Sequence, residues 1–202
     1  MGIRRGGDWG TSGELPDGGV VVSNDARARE VVEAARRRGE ALPVLGLTGG
    51  DLCRTLGGTG DRARLHEGGS ALTCDLGSVL LDGRLHWFTA HLVARHSWLF
   101  GRILVVMNAA YMGGWNLGPR AHPGDGLLDI SDANLPLRQR LGAWRRLRSG
   151  THLPHPAIAT TRRAAFSTSF ERPVPVLLDG VSAGRARRIT VRVESDALAV
   201  IV

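Results

Sequence analysis

The chain has 202 residues, 43% hydrophobic and 22% charged, enough for one good core or two small ones and unlike the composition of a disordered protein. No apolar run approaches the roughly eighteen residues of a membrane-spanning helix. Formal net charge is +7 and all 26 basic residues are arginine; without lysine, a Walker-type phosphate loop and Schiff-base chemistry are both excluded.

In chain order, residues 1–17 are expected to form a flexible lead-in, and the first residues lack the apolar core of a signal peptide. Gly19 to Val22 reads as a short strand ending in Ser23-Asn24-Asp25. From Arg27 to Arg38 the spacing predicts a helix with Val31, Val32 and Ala35 inward and Arg36 to Arg38 on a solvated face. Ser23 or Asp25 is expected to cap it, and Gly39 to stop it. Val44-Leu45 begins a second strand leading to Leu47-Thr48-Gly49-Gly50-Asp51. This is a βαβ-like unit whose glycine turn and following helix start offer backbone amides to an anion. Cys53 and Cys74 are too few for a disulfide framework and lack metal-binding spacing, which points to a reduced, cytoplasmic protein.

Beyond Gly60 the pattern turns to strands. Ser70 to Asp82 and Arg84 to Ala94 meet at Asp82-Gly83, a strong hairpin signal. His86, Phe88 and Ala90 alternate with Trp87, Thr89 and His91, so one face is expected to pack and the other to be wetter; a helix over 87–100 is the weaker alternative. Ile103 to Met107 is an apolar strand that enters a loop with five glycines and two prolines. The loop ends in Gly124-Asp125-Gly126, before a second apolar strand carrying Asp129. Such a strand pair can place a carboxylate on a rigid scaffold as a metal ligand or phosphate-site group, or be an ordinary turn connection. Leu137, Leu141, Trp144 and Leu147 fall at helical spacing, with Arg138, Arg140, Arg145, Arg146 and Arg148 on the other sides. Residues 157–159, 163–170, 174–179, 188–193 and 198–202 then read as strands. His86, His91 and His96 recur at a spacing that fits neither one strand face nor one helix face, so they are not expected to converge on a metal. Helix-turn-helix, zinc-finger and interleaved aromatic–arginine patterns are absent, so nucleic-acid binding is not expected despite the charge. Arg145, Arg146 and Arg148 near Trp144 are candidates for contact with anionic lipid headgroups.

Four turns in this order resemble the bacterial diacylglycerol-kinase-like lipid kinases, relatives of sphingosine kinase and NAD kinase. That family carries a GGDGT turn after a strand, a PLGTGNDFAR-like turn, a P-x-A-x-x-D-D-G-x-L-D loop and a late D-G-E turn. This chain offers Ser23-Asn24-Asp25-Ala26-Arg27 with Glu30 following, and then Leu47 to Gly57. Pro119 to Asp129 is the best match, and Asp179-Gly180-Val181 is the fourth. The resemblance spans roughly residues 18–202.

The resemblance implies an α+β fold: a truncated α/β nucleotide-binding remnant over 18–62, followed by an antiparallel β-sandwich-like C-terminal domain over 63–202. It implies transfer of the ATP γ-phosphate to a lipid hydroxyl with Mg²⁺, by a protein that is cytoplasmic or peripheral at the inner membrane face. Asn24, Asp25, Glu30, Thr48, Gly49, Gly50 and Asp51 would bind the cofactor, Asp125 would hold the metal, and Asp179 with Asp125 would carry catalysis. Asp25, Asp51, Asp125 and Asp179 are expected to meet around one cleft. The implied partners are ATP, a lipid substrate or an anionic membrane surface, and a second copy or a full-length homologue supplying missing elements.

The departures bear on activity. Most of the family's amino-terminal half-domain has no counterpart here. Ser23 and Asn24 replace the leading glycines, which elsewhere let backbone approach phosphate. Val181 stands where the family has the glutamate that takes the hydroxyl proton, a loss of about 10²–10⁴ in rate for a general base. A catalytically inactive member that binds lipid or nucleotide is therefore the alternative expectation.

Overall fold

In the computed structural model, which describes residues 10–202, eleven strands join one sheet. Strand β1 (Thr11–Gly13) lies antiparallel to Gly69–Ala71 at the sheet edge, so this part of the expected flexible lead-in is paired; residues 1–9 of it lie outside the described residues. Strand β2 (Val20–Val22), helix α1 (Asp25–Arg38) and strand β3 (Leu45–Leu47) form the anticipated βαβ unit, with β2 parallel to β3. The helix begins two residues before the expected start because Asn24, rather than Ser23 or Asp25, caps it: Asn24 Oδ1 accepts the Arg27 N–H at 3.0 Å. Gly39 ends it at φ 69°, as a left-handed stop requires. Ala28, Val32 and Ala35 are buried. Arg36 is not simply solvated, since its Nη2 reaches Glu194 at 2.6 Å.

Helix α2 (Gly50–Thr55) is a short stub, and a 3-10 turn (Ala63–Leu65) leads into the long strand β4 (Gly69–Leu81). The hairpin to β5 (Arg84–Phe88) turns on Asp82 and Gly83, at φ 48° and 91°, as its sequence predicts. The second arm does not continue to Ala94. The chain bends at Thr89-Ala90, and β6 (His91–Arg95) departs to pair with β7 (Ile103–Met107). That bend carries Trp87 through His91 into the interior, so the expected packed and wet faces do not alternate there. The helical alternative over 87–100 is overturned by the same strands.

Strand β7 is buried along its whole length because it has a core on each face. Leu104 and Val106 pack with Leu92, Ile130 and Val176, whereas Ile103, Val105 and Met107 pack with Leu117 and Leu147. Its unbroken apolar run follows from that two-sided burial. Strand β8 (Leu128–Ala133) pairs with β7, and helix α3 (Leu137–Leu147) covers the outer face before strand β9 (Ile158–Arg163) closes this edge. The helix span matches the spacing, but its inward face does not. Arg140 is 3% exposed while Leu137 and Leu141 are 52% and 46% exposed. Arg140 finds three carbonyls, those of Leu135 (2.7 Å), Trp98 (3.1 Å) and Gly101, and the helix turns to bury it with Leu147, leaving Trp144 half-buried beside them.

The remaining predicted strands merge into two, β10 (Ala165–Leu178) and β11 (Val181–Ile201). Register shifts between Ser169 and Val174 and between Glu194 and Leu198 let each strand bend without ending. The order is β1-β4-β11-β10-β6-β7-β8-β9, with β5 on β4 and the β2–β3 pair on the end of β11. This is the expected α+β class with an antiparallel β-sandwich-like body. Residues 18–62 close no core of their own: Val32, Leu45 and Leu52 share one with Leu72, Cys74, Leu198 and Val200. Among the described residues no helix is long and apolar enough to cross a membrane.

Candidate functional site

A cleft of about 470 Å³ opens where the βαβ turns face the β10–β11 turn. Its floor carries Asn24, Asp25, Asp51, His91 and Asp179, and its wall Val93, Trp98, Met112, Trp115, Leu177 and Val181. Three aspartates from remote parts of the chain therefore meet.

Asp25 opens α1 and turns its carboxylate onto the start of α2, accepting the N–H groups of Asp51 at 2.6 Å and Leu52 at 3.0 Å. Gly50, at φ 97°, leaves room for this: a Cβ there would lie 2.7 Å from Asp25 Oδ1. Burial pushes the Asp25 pKa up to about 6; the two amides pull the other way, and the charges of Asp179 and Asp51 add to the rise.

Asp51 accepts the Gly113 N–H at 2.9 Å and lies 3.2 Å from His91 Nε2. Burial alone would raise its pKa, but His91, the Gly113 amide and the Arg54 charge outweigh burial and hold it below the ordinary value. For His91, burial opposes the charged form, yet the Asp51 hydrogen bond and the charges of Asp179, Asp51 and Asp25 raise its pKa. Its Nδ1 is buried with no hydrogen-bond partner. Arg54 fixes the glycine-rich loop beside this pair, donating to Gly113 O at 2.9 Å with its guanidinium 3.9 Å over the Tyr111 ring.

Asp179 sits at φ 51° in the turn between β10 and β11. One oxygen accepts from the Ala90 and His91 amides (2.8 and 3.0 Å), the other from the Thr89 amide and hydroxyl (2.8 and 3.2 Å). Burial raises its pKa against these donors and the His91 charge. The carboxylate thus clamps the Thr89-Ala90 bend.

Of the residues expected at the site, the structure brings Asn24, Asp25, Asp51 and Asp179 to the cleft and keeps others elsewhere. Gly49 packs tightly under the first turn, where a Cβ would stand 2.5 Å from Ser23 O, and Thr48 Oγ1 donates to Val22 O at 3.2 Å. Glu30 is exposed on α1 and pairs with Arg27. Asp125 does not join the other aspartates. It pairs with Arg162, which also holds Asp129 at 2.7 Å, at the far end of the loop. That end is tied to β4, since Asp75 N donates to Pro123 O at 2.7 Å and the Asp75 carboxylate accepts the Gly126 N–H at 2.7 Å. His91 was missed by sequence reasoning, and nothing in its spacing distinguishes it; only the bend at Thr89-Ala90 places it on the floor.

The turns do not fit ATP phosphates or Mg²⁺ as they stand. Asn24 is committed to the α1 cap, and the amides that open α2 already hold the Asp25 carboxylate. Asp125 already faces the Arg162 guanidinium. Among the described residues no group of three or more His, Cys, Asp or Glu side chains is arranged to hold a metal.

Comparison with known proteins agrees with the fold. A solved structure of a provisionally assigned diacylglycerol kinase from Bacillus anthracis str. Sterne superposes with TM-score 0.69 at 15% identity, covering 91% of this chain and 77% of that one. A second structure, a diacylglycerol kinase from the same organism, gives TM-score 0.59 at 16% identity over 79% of this chain and 69% of that one. No curated protein matches the chain. The profile described as the YegS C-terminal NAD kinase beta sandwich-like domain matches residues 78–202. Since that match takes in β5 to β11 and more than half of the sequence, the chain belongs to this family, the lipid-kinase-like one its motifs resemble.

Proposed function

We propose that the protein is a diacylglycerol-kinase-like member that binds a hydroxyl-bearing lipid in the cleft, with phosphoryl transfer from ATP lost or strongly weakened. Charged floor and apolar wall together suit an amphiphile: glycerol-sized polar groups can lie over Asp25, Asp51 and His91 while a chain follows Trp98, Trp115 and Leu177. The observation that carries the reading is the Asp25 carboxylate seated on the two amides that open α2. An anion already occupies the donors a phosphate chain would use. Val181 lines the same cleft and supplies no base, and Asp179 spends both oxygens on the backbone. Residues 18–62 and 63–202 act as one binding unit in this reading.

An active lipid kinase using ATP and Mg²⁺ is the second reading. It is favoured by Asp25, whose pKa of about 6 suits proton transfer near neutral pH. One experiment separates the two: purified protein with ATP, Mg²⁺ and a panel of diacylglycerols and related lipid alcohols, read for phosphorylated product, with lipid and nucleotide binding titrated in parallel. Lipid binding without product is expected. Steady phosphorylated product that is lost in Asp25→Ala would establish the kinase, and absence of lipid binding would refute both readings.

A further inference from the structure

Four of the large apolar side chains that stand out in solvent lie on two segments held together by one guanidinium. Leu99 and Phe100, at 47% and 62% exposure, form the tip of the β6–β7 loop; Leu137 and Leu141 lie on the outer side of α3. Arg140 binds the carbonyls of Trp98 and Gly101, which flank that tip, together with Leu135 O at the start of α3. The four side chains are thus presented by two segments braced to each other. Along α3 the outward stripe Leu137, Leu141, Arg145, Arg148 follows helical spacing, with Arg138 and Arg146 exposed beside it.

The charge around this surface is mainly positive: at its edge Asp132 is paired with Arg102 at 2.6 Å and Glu171 shares a hollow with Arg172, while the exposed charges of the helix are all arginine. No Asp or Glu occurs from Gly83 to Gly124 or from Ala133 to Phe170, the stretches that supply the loop and the helix. Exposed leucines and a phenylalanine beside a helix face that carries arginines and no carboxylate of its own match an anionic bilayer surface: apolar groups enter the acyl boundary and guanidiniums meet lipid phosphates. Trp98 belongs both to the cleft wall and to the apolar cavity beneath α3, so the surface adjoins the cleft mouth.

We infer that Leu99, Phe100 and the outer face of α3 form a docking surface for an anionic lipid bilayer, delivering lipid to the adjoining cleft. Its purpose rests on the lipid-binding reading above, but the docking is measured without ATP or turnover. The test is cosedimentation of the full chain with phosphatidylcholine vesicles containing about one-third phosphatidylglycerol, and with pure phosphatidylcholine vesicles. Binding to the mixed vesicles is expected, falling with salt. Replacing Arg145 and Arg146 by Gln should weaken it at least about tenfold. Phe100→Ser with Leu141→Ser should weaken it too, while the unfolding midpoint stays near that of the parent.

Equal binding to both vesicle types, parental affinity in these variants, or no vesicle binding at all overturns the inference. So does a dimer in size-exclusion chromatography that Phe100→Ser and Leu141→Ser convert to monomer, because the surface would then belong to a second copy. Detergent-dispersed diacylglycerol binding that persists without vesicle binding removes the docking surface and leaves the cleft assignment. Vesicle binding without diacylglycerol binding does the reverse.

Discussion

At the residue scale the cleft is a set of carboxylates held apart by different partners. Burial lifts the Asp25 pKa to about 6 from an ordinary 3.8. An unfolded chain releases that proton first, so stability should fall as pH rises from about 4 to about 6, by about 3 kcal/mol in all. Asp25→Asn should flatten that slope in urea unfolding measured at several pH values. A residual slope of the same sign is expected from Asp179, whose pKa is also raised by burial. His91 adds to it at higher pH, because its stabilising charge is present below pH 6.5 and lost as pH rises through its raised folded value. Asp51 acts on the other side. Its depressed pKa contributes stability that is lost only as pH falls below the ordinary carboxylate range. Histidine titration by NMR should place His91 above the free value, and Asp51→Asn should bring it down. Asp179 has the largest structural duty: Asp179→Ala removes the acceptor for four donors and should cost at least about 3 kcal/mol in unfolding free energy.

Elements are governed by where strands are allowed to bend. Strand β4 carries Gly77 opposite Phe88 because the ring lies over its backbone; a Cβ there would come within 2.2 Å of Phe88 Cζ. Gly77→Ala should therefore destabilise by about 1–3 kcal/mol, an overpacking cost readable as a lower denaturation midpoint. The conservative reverse at the ring, Phe88→Leu, should partly rescue it. Helix α3 shows the same competition between pattern and partner. Leu137, Leu141, Trp144 and Leu147 satisfy helical spacing, but so do Arg140, Ala143, Trp144 and Leu147, and the second set lines the cavity beneath the helix. Three backbone carbonyls waiting for Arg140 decide between them. Arg140→Leu, which keeps an apolar stem and loses all three bonds, should loosen the β6–β7 loop and raise amide exchange at Trp98 to Gly101.

At the scale of the whole molecule, β4 and β11 run through both halves, so the βαβ piece and the sandwich share strands and a core. The cleft exists because of that sharing: β11 begins at its rim and ends as the parallel neighbour of β3. Restoring the family's base therefore repairs only one of several departures. Val181→Glu should leave phosphorylated product at or near the parent level in the lipid-panel assay, since the α2 amides remain occupied by Asp25.

Hydrophobic periodicity and turn residues were sufficient for the local elements: the βαβ unit, the Asp82-Gly83 hairpin and the bounds of β7 and α3; the family came separately, as a resemblance carried by four motifs in order. These depend on contacts between near neighbours or on backbone rules that each residue carries with it. Other features needed partners distant in sequence. Asp25 and Asp179, 154 positions apart in the chain, come to one cleft, while Asp125, on the best-matching motif, is drawn away by Arg162 and the Asp75 anchor. His91 became a floor residue only through the bend that Asp179 clamps. Charge type is written in the chain, but which charge faces which, and whether a turn's amides stay free for a ligand, is decided by packing.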